Sequence, residues 1–205
     1  MNSAQHHRSP AKESEPITGY KLFPNSIRRP QKNQRFLSAA LYGQRSGKGC
    51  LPTKLGLSKD EFISMLNRHF QGLQIPVVTL SDSDDKASIR EELLELRESE
   101  WQDLFDLISK YARGIDVSEQ WLAKIIATGC MGSDHLWRDL GLPDRQSLRL
   151  LFEENFPALA SKNDSNMRWK KFLYRQLCET GGHFVCRSPS CETCPTYDDC
   201  FGDEI

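Results

Sequence analysis

The 205-residue chain carries 27 basic and 28 acidic residues, which leaves a formal charge of −1 at neutral pH. Such a balance provides no bulk attraction to a polyanion, so nucleic acid is not the expected partner. The sequence has no run of about 18 apolar residues that could cross a bilayer, and its start has no apolar segment typical of a secretory signal. We therefore expect a cytoplasmic protein with neither a membrane nor a nucleic-acid partner.

Cysteine is the most informative feature of the composition. Seven cysteines are present, and four of them lie between Cys186 and Cys200. An odd number of cysteines in a chain without a secretory signal argues against a disulfide framework, because a reducing cytosol keeps thiols available for metals or redox chemistry. The functional site is therefore expected in this C-terminal segment.

The chain divides into three predicted regions. Residues 1–35 are polar and proline-bearing, without a sustained hydrophobic period, and are predicted to form a mobile tail. Residues 36–180 predict a helical domain, and residues 181–205 a cysteine-rich loop. The glycines between Gly43 and Gly49 do not form a phosphate-binding loop, because three residues rather than four separate Gly43 from Gly47 and Gly49 follows Lys48.

The hydrophobic period predicts about six helices and an all-α fold. The first includes Phe36 and Leu41 and should end at Gly43. The next starts with a capping box formed by Ser58 and Glu61, and His69 lies at the edge of its apolar face as a packing residue. A single long core helix is predicted from Ile89 to about Arg113.

The second half of the chain continues this pattern. A helix from Val117 should end at Gly129 and leave Cys130 just beyond it, followed by a short helix around Leu136 to Leu140. Pro143 and Asp144 start another helix. The last is expected from about Asn163 to Glu179, with Met167, Trp169, Phe172, Leu173 and Leu177 buried and Arg168, Lys170, Lys171 and Arg175 facing solvent.

The C-terminal cysteines have the spacing Cys186-x4-Cys191-x2-Cys194-x5-Cys200. Four soft sulfur ligands suit either a tetrahedral zinc ion or an iron–sulfur cluster. Structural zinc sites usually combine two C-x2-C pairs, whereas this segment has one, and a C-x4-C-x2-C start is a spacing that iron–sulfur proteins use. The spacing favours a cluster and leaves zinc as the alternative.

Several stretches of this sequence closely resemble the nitrogen-fixation family NifQ, and the resemblance covers about residues 36–205. The cysteine spacing coincides with that family's motif. The other stretches that carry the resemblance are Leu51-Pro-Thr-Lys-Leu-Gly-Leu57, Trp121-Leu-Ala-Lys-Ile-Ile-Ala-Thr-Gly-Cys-Met-Gly-Ser-Asp-His-Leu-Trp-Arg-Asp-Leu-Gly-Leu-Pro143, Met167-Arg-Trp-Lys-Lys-Phe-Leu-Tyr-Arg-Gln-Leu-Cys178 and Val185-Cys-Arg-Ser-Pro-Ser-Cys191.

The resemblance implies a molybdenum carrier for biosynthesis of the nitrogenase iron–molybdenum cofactor. Members of such a family hold molybdenum in or on a cysteine-bound iron–sulfur cluster and pass it to the NifEN scaffold together with NifH. On this basis the expected ligands of the cluster and metal are Cys186, Cys191, Cys194 and Cys200.

Two further residues are weaker candidates for a metal site. Cys130 and His135, five positions apart, are considered for the uptake of molybdenum or for the heterometal corner, although a small buried thiol and a helix-start histidine are the favoured explanation. Cys178 is a reserve ligand, and Cys50 is expected to be incidental.

Two other functions compete with the carrier. One is a zinc-stabilised helical adaptor, and the other is an iron–sulfur electron carrier whose cluster never leaves the protein. We do not expect an enzyme, because the sequence shows no readable Ser/His/Asp arrangement, and its paired carboxylates are adjacent in sequence and so lie on different sides of a helix.

Overall fold

The described part of the chain in the computed structural model, which comprises residues 31–71, 89, 92 and 94–180, contains eight α-helices and no strand. This confirms the all-α class for these residues. In chain order the helices are α1 (Gln34–Arg45), α2 (Lys59–His69), α3 (Glu98–Lys110), α4 (Ser118–Cys130), α5 (Leu136–Asp139), α6 (Arg145–Asn155), α7 (Pro157–Ala160) and α8 (Trp169–Glu179).

Helix α4 forms the centre of the core. All of its residues except Gln120 and Lys124 are buried, and it packs against α2, α3 and α5. A helix that is apolar on nearly every side has to be covered on every side. Helix α3 also packs against α8 and so joins the last described helix to the core.

Two predicted helix starts are confirmed in atomic detail. The backbone N–H of Glu61 donates to Ser58 Oγ at 3.3 Å, and the N–H of Ser58 donates to Glu61 Oε2 at 3.1 Å, which completes the capping box of α2. Asp144 accepts from the N–H of Ser147 at 2.7 Å and caps α6 in the same manner. In both helices the cap satisfies backbone donors that the first turn leaves without an intrahelical acceptor.

Two glycines do not end helices as predicted. Helix α1 continues past Gly43 to Arg45, and α4 continues past Gly129 to Cys130. Both glycines instead allow close packing: a Cβ atom on Gly43 would lie 2.7 Å from Gly141 Cα, and one on Gly129 would lie 2.7 Å from Leu140 Cδ2. Tertiary contact, rather than chain termination, therefore explains these glycines.

The predicted helix from Ile89 to Arg113 was wrong in its continuity. A turn at residues 96–97 precedes α3, which begins at Glu98. Arg97 occupies the N-cap position, and its guanidinium donates to Glu100 and to the carbonyl oxygen of Met131. These contacts hold the chain at the turn.

The predicted last helix was too long at its N-terminus, because α8 begins at Trp169 rather than near Asn163. The Asn163 side chain accepts from the N–H of Met167 at 2.8 Å and donates to its carbonyl oxygen at 2.9 Å. An asparagine that bonds the backbone four residues ahead favours a turn over a helix. The one-turn helix α7, which has Pro157 at its start, was not predicted.

The apolar residues predicted to be buried in this last segment are indeed buried, but Lys170 was wrongly expected to face solvent. Its side chain is only 18% exposed and forms an ion pair with Asp139.

His69 is a buried packing residue as predicted, with its ring edge-on to Trp121. No helix in the described residues is long and apolar enough to span a membrane.

Candidate functional site

The predicted ligands Cys186, Cys191, Cys194 and Cys200 lie outside the described residues. Within residues 31–71 and 94–180, no group of three or more His, Cys, Asp and Glu side chains is arranged to hold a metal ion. The described residues instead form the polar surroundings of the α4 C-terminus, where Cys130 and His135 lie.

Cys130 is the last residue of α4 and is only 3% exposed. Burial raises the pKa of its thiol to about 12, although the nearby ammonium group of Lys170 opposes this shift. Cys130 is therefore a neutral thiol at physiological pH. His135 is half-buried at the N-cap position of α5, where its backbone N–H donates to Asp134 Oδ1 at 2.7 Å.

The loop between α4 and α5 is closed by an ion pair with α8. Lys170 Nζ donates to Asp139 Oδ2 at 2.5 Å and to the carbonyl oxygen of Gly132 at 2.8 Å. The same carboxylate oxygen accepts from the N–H of Asp134 at 3.0 Å. Any side chain on Gly132 would collide with the Asp139 carboxylate, because its Cβ would lie 2.5 Å away. This contact set fixes the loop that carries His135.

Cys50, which sequence reasoning treated as incidental, lies at the same helix end. Its backbone N–H donates to the carbonyl oxygen of Asp139 at 3.3 Å, and its sulfur lies 3.8 Å from the carbonyl oxygen of Gly129. Gly56, further along the same loop, lies against the Thr128 side chain. In the sequence, only the resemblance of residues 51–57 to the NifQ family indicated that this loop contributes to the neighbourhood of α4.

A second polar network joins α3 to α8. Arg97 donates to both carboxylate oxygens of Glu100, at 2.7 and 2.6 Å, and the hydroxyl of Tyr174 donates to the same carboxylate. Burial alone would raise the pKa of Glu100, but the hydrogen bonds from Arg97 and Tyr174 hold it below its usual value. Burial and the hydrogen bond to Glu100 raise the pKa of Tyr174. This part of α8 is therefore firmly anchored.

A cleft of about 250 Å³ opens between the start of α8 and the α4–α5 loop. We call it the basic cleft, because cationic side chains outnumber carboxylates among the residues that line it. Those residues are Ser133, Asp134, His135, Leu136, Leu148, Arg168, Trp169, Lys170 and Lys171.

The NifQ family model matches residues 36–202. The chain is 47% identical over 182 residues to the protein NifQ of Azotobacter vinelandii, an alignment that covers 88% of this chain and 93% of that protein. It is 40% identical to the NifQ homolog of Sinorhizobium fredii, over 81% of this chain and 68% of that protein. The protein NifQ of Klebsiella pneumoniae is 38% identical, over 76% and 90% of the two chains. The chain belongs to the NifQ family.

No solved structure matches this chain. The arrangement of the helices nevertheless shows what three stretches that resemble the NifQ family have in common. Residues 51–57, 121–143 and 167–178 meet around the C-terminal end of α4, through the contacts of Gly56 with Thr128 and of Lys170 with Asp139. In this NifQ chain, sequence stretches that are far apart therefore build one structural neighbourhood.

Proposed function

We propose that this NifQ chain carries molybdenum for assembly of the nitrogenase iron–molybdenum cofactor. Membership of the NifQ family, which implies a role in nitrogen fixation, is the observation that carries the proposal. In our proposal Cys186, Cys191, Cys194 and Cys200 hold an iron–sulfur cluster, and molybdenum is the cargo that leaves with or from it. The receiving partners are NifEN and NifH.

The donor set supports this assignment. Four cysteines within fifteen residues supply soft thiolates, which suit an iron–sulfur cluster, whereas the described residues contain no comparable group. Molybdate is a hard oxyanion that thiolates bind poorly, and the sulfides of a cluster give the metal soft ligands instead. The protein's own contribution is to supply the cysteine ligands, and we assign it no turnover chemistry.

The helical domain would act as a rigid base for this segment. Helix α8 ends at Glu179, seven residues before Cys186, and it is joined to α3 through Tyr174 and to the α4–α5 loop through Lys170. Anchoring on both sides fixes α8, the last described helix before the cysteine segment in the sequence. Cys130 and His135 remain weaker candidates for contact with molybdenum.

The decisive experiment is a metal analysis of the full chain purified without oxygen from cells supplied with molybdate. We expect iron, sulfide and molybdenum together, with broad absorption near roughly 400 nm from thiolate-bound iron. Zinc alone in a colourless protein would establish the zinc-stabilised adaptor instead. Iron and sulfide without molybdenum would contradict the molybdenum carrier and leave the electron carrier as the alternative.

A pair of variants in the same segment tests the ligands. Cys191→Ala should lose the cluster and its molybdenum, whereas Ser190→Ala, which changes the adjacent residue without removing a thiol, should retain both. In cells, Cys191→Ala should impair nitrogen fixation at limiting molybdate and be rescued by excess molybdate. Failure of excess molybdate to rescue the variant would count against a carrier role.

A further inference from the structure

We propose that Cys50 and Cys130 form a reversible redox pair, whose two thiols are joined as a disulfide by a low-molecular-weight disulfide oxidant. This inference goes beyond the proposed function, because it uses neither the C-terminal cysteine segment nor molybdenum. It gives a role to Cys50, which the carrier proposal leaves without one.

Cys50 lies directly against the C-terminal end of α4. Its sulfur lies 3.8 Å from the carbonyl oxygen of Gly129, 3.9 Å from that of Thr128 and 4.0 Å from that of Asp139. Gly129 is bonded to Cys130, so the Cys50 sulfur contacts the peptide group that immediately precedes the second thiol. Burial is the main cause of the raised pKa of Cys130, and the nearby Cys50 thiol adds to it. The two thiols are therefore neighbours at one helix end, although they are far apart in the sequence.

The segment that carries the first of these thiols is held at this helix end on both sides of the cysteine. We call residues 47–57 the strap. Before the cysteine, a Cβ atom on Gly49 would lie 2.5 Å from the carbonyl oxygen of Asp139. Beyond it, a Cβ atom on Gly56 would lie 2.0 Å from Thr128 Oγ1. Such close backbone packing at both points shows that the strap as a whole keeps its cysteine at the end of α4.

The start of the strap can supply the movement that bond formation needs. A disulfide joins sulfurs about 2 Å apart, so the Cys50 side chain has to turn from the carbonyl oxygens toward the neighbouring thiol. Gly47 is exposed, with a φ of +68°, and a Cβ atom built there would meet nothing within 4 Å. Cys130 is held in place by its helix, so the strap adjusts and α4 does not.

The two thiols differ in access, and this difference sets the order of the chemical steps. Cys50 is half-buried, whereas Cys130 is only 3% exposed, so a small disulfide such as oxidised glutathione reaches Cys50 first. The Cys50 sulfur bonds to one glutathione sulfur, and the other glutathione leaves as a thiol. The Cys130 sulfur then attacks the Cys50 sulfur, breaks the mixed disulfide and releases the second glutathione as a thiol. The pair gives up two electrons and two protons, and both protons leave on the two glutathione thiols.

The disulfide would tie the strap covalently to α4. In a reducing compartment a protein disulfide of this kind is transient and responds to the redox state, so the bond acts as a switch and not as a permanent brace. A cross-link between segments so far apart in the sequence also restricts the unfolded chain. Oxidation should therefore raise the urea concentration at which the protein unfolds.

The test is tryptic peptide mapping of the full chain after equilibration, without oxygen, with mixtures of reduced and oxidised glutathione. Trypsin places Cys50 in residues 49–54 and Cys130 in residues 125–138, and each is the only cysteine of its peptide. We expect the disulfide-linked pair of these peptides to increase with the oxidised fraction and to disappear when reduced glutathione is restored. A mixed disulfide that persists on Cys50 without linkage to Cys130, or preferential linkage of Cys50 to another cysteine, would overturn the proposal.

A pair of variants identifies the thiol that the oxidant reaches. In Cys50→Ser, Cys130 should stay unmodified at every glutathione ratio, because its partner provides the route by which it is oxidised. Cys178→Ser, which removes the half-buried cysteine of α8, is the matched control and should keep the linked peptides at the wild-type ratio. Modification of Cys130 to the same extent in Cys50→Ser would refute the pair.

Urea denaturation provides a second measurement on the same proteins. The midpoint should be higher for the oxidised than for the reduced protein, in the wild type and in Cys178→Ser, and this shift should be lost in Cys50→Ser. An equal shift in Cys50→Ser would assign it to other cysteines and contradict the proposed switch. None of these results depends on molybdenum, so their failure would leave the carrier proposal as it stands.

Discussion

Lys170 Nζ lies 2.5 Å from Oδ2 of Asp139, and this ion pair joins α8 to the loop after α4 across 31 positions of sequence. Both side chains are largely buried, at 18% and 5% exposure. A buried pair of this kind is costly to break from one side, because the remaining charge stays in a poorly solvated place.

We expect Asp139→Ala to lower the free energy of unfolding by about 3 kcal/mol, since it leaves the Lys170 ammonium group without its carboxylate. Glu153→Ala, which breaks the exposed pair with Arg149 within α6, is the control and should cost about 0.5 kcal/mol or less. Urea denaturation gives both values. A double-mutant cycle with Lys170→Met should then show a coupling energy of at least about 1 kcal/mol, and strict additivity would contradict the ion pair's assigned role.

Gly56 is the position where a methyl group should be least tolerated. Its φ of +81° lies in the left-handed region, and a Cβ atom there would lie 2.0 Å from Thr128 Oγ1. Gly114 has a similar φ of +73° but open space around it, so Gly114→Ala isolates the backbone cost. We expect about 1 kcal/mol for Gly114→Ala and more than about 3 kcal/mol for Gly56→Ala, measured as loss of unfolding free energy.

Thr128, the residue that a methyl group on Gly56 would meet, offers a check on this explanation. Thr128→Ala in the Gly56→Ala background should recover part of the lost stability, because it removes the atoms that the new methyl group meets. The recovery will be incomplete, since Thr128 Oγ1 also accepts from Trp101 Nε1 at 2.9 Å. Equal costs for the two glycine variants would show that Thr128 does not restrict this site.

Local rules predicted the local features of this fold. The capping box of Ser58 and Glu61 needs only residues three positions apart, and the helical period alone marked Phe62 and Met65 as core residues. Gly43 shows where such rules end. A glycine in a helical pattern normally signals a helix end, but a Cβ atom at Gly43 would collide with Gly141, which no local pattern could reveal.

In the candidate site, too, local sequence patterns predict only what lies close together along the chain. Sequence spacing predicted the cysteine quartet, which lies outside the described residues, and the Cys130–His135 pair, because those residues are close together along the chain. It did not place Cys50 or Lys170 at the α4 C-terminus, because contacts with Asp139 bring both there from distant segments. A lysine on a helix usually faces solvent. Lys170 is instead largely buried, because it pairs with the carboxylate of Asp139.

His69 should make the protein less stable below neutral pH. Burial lowers the pKa of its imidazole below the usual 6.5, although Asp116 opposes this shift. Among the residues that the structure describes, neither ring nitrogen has a hydrogen-bond partner. As the pH falls through 6.5, the unfolded chain binds a proton that the folded protein resists, so the free energy of unfolding should decrease.

Chemical denaturation between about pH 7.5 and 5.5 measures this dependence. His69→Phe should flatten the curve, because it fills the same position beside Trp121 without a titrating group. Phe70→Leu, which alters the buried ring next to His69 without removing a titrating group, is the control and should keep the wild-type slope. A slope that persists in His69→Phe would assign the pH dependence to other groups.

Cys130 should be the least reactive of the described cysteines. Its thiol is 3% exposed, and burial raises its pKa to about 12, so the thiol is neutral at pH 8. Cys50 and Cys178 are half-buried and provide the internal comparison. Native protein treated with iodoacetamide at pH 8 should therefore be alkylated at Cys50 and Cys178 well before Cys130, as followed by mass spectrometry of tryptic peptides.

In denaturant the alkylation rates of the three cysteines should converge, since the environment that distinguishes them is lost. Rapid alkylation of Cys130 in the folded protein would mean that the α4 C-terminus opens readily, and it would strengthen this cysteine as a contact for molybdenum.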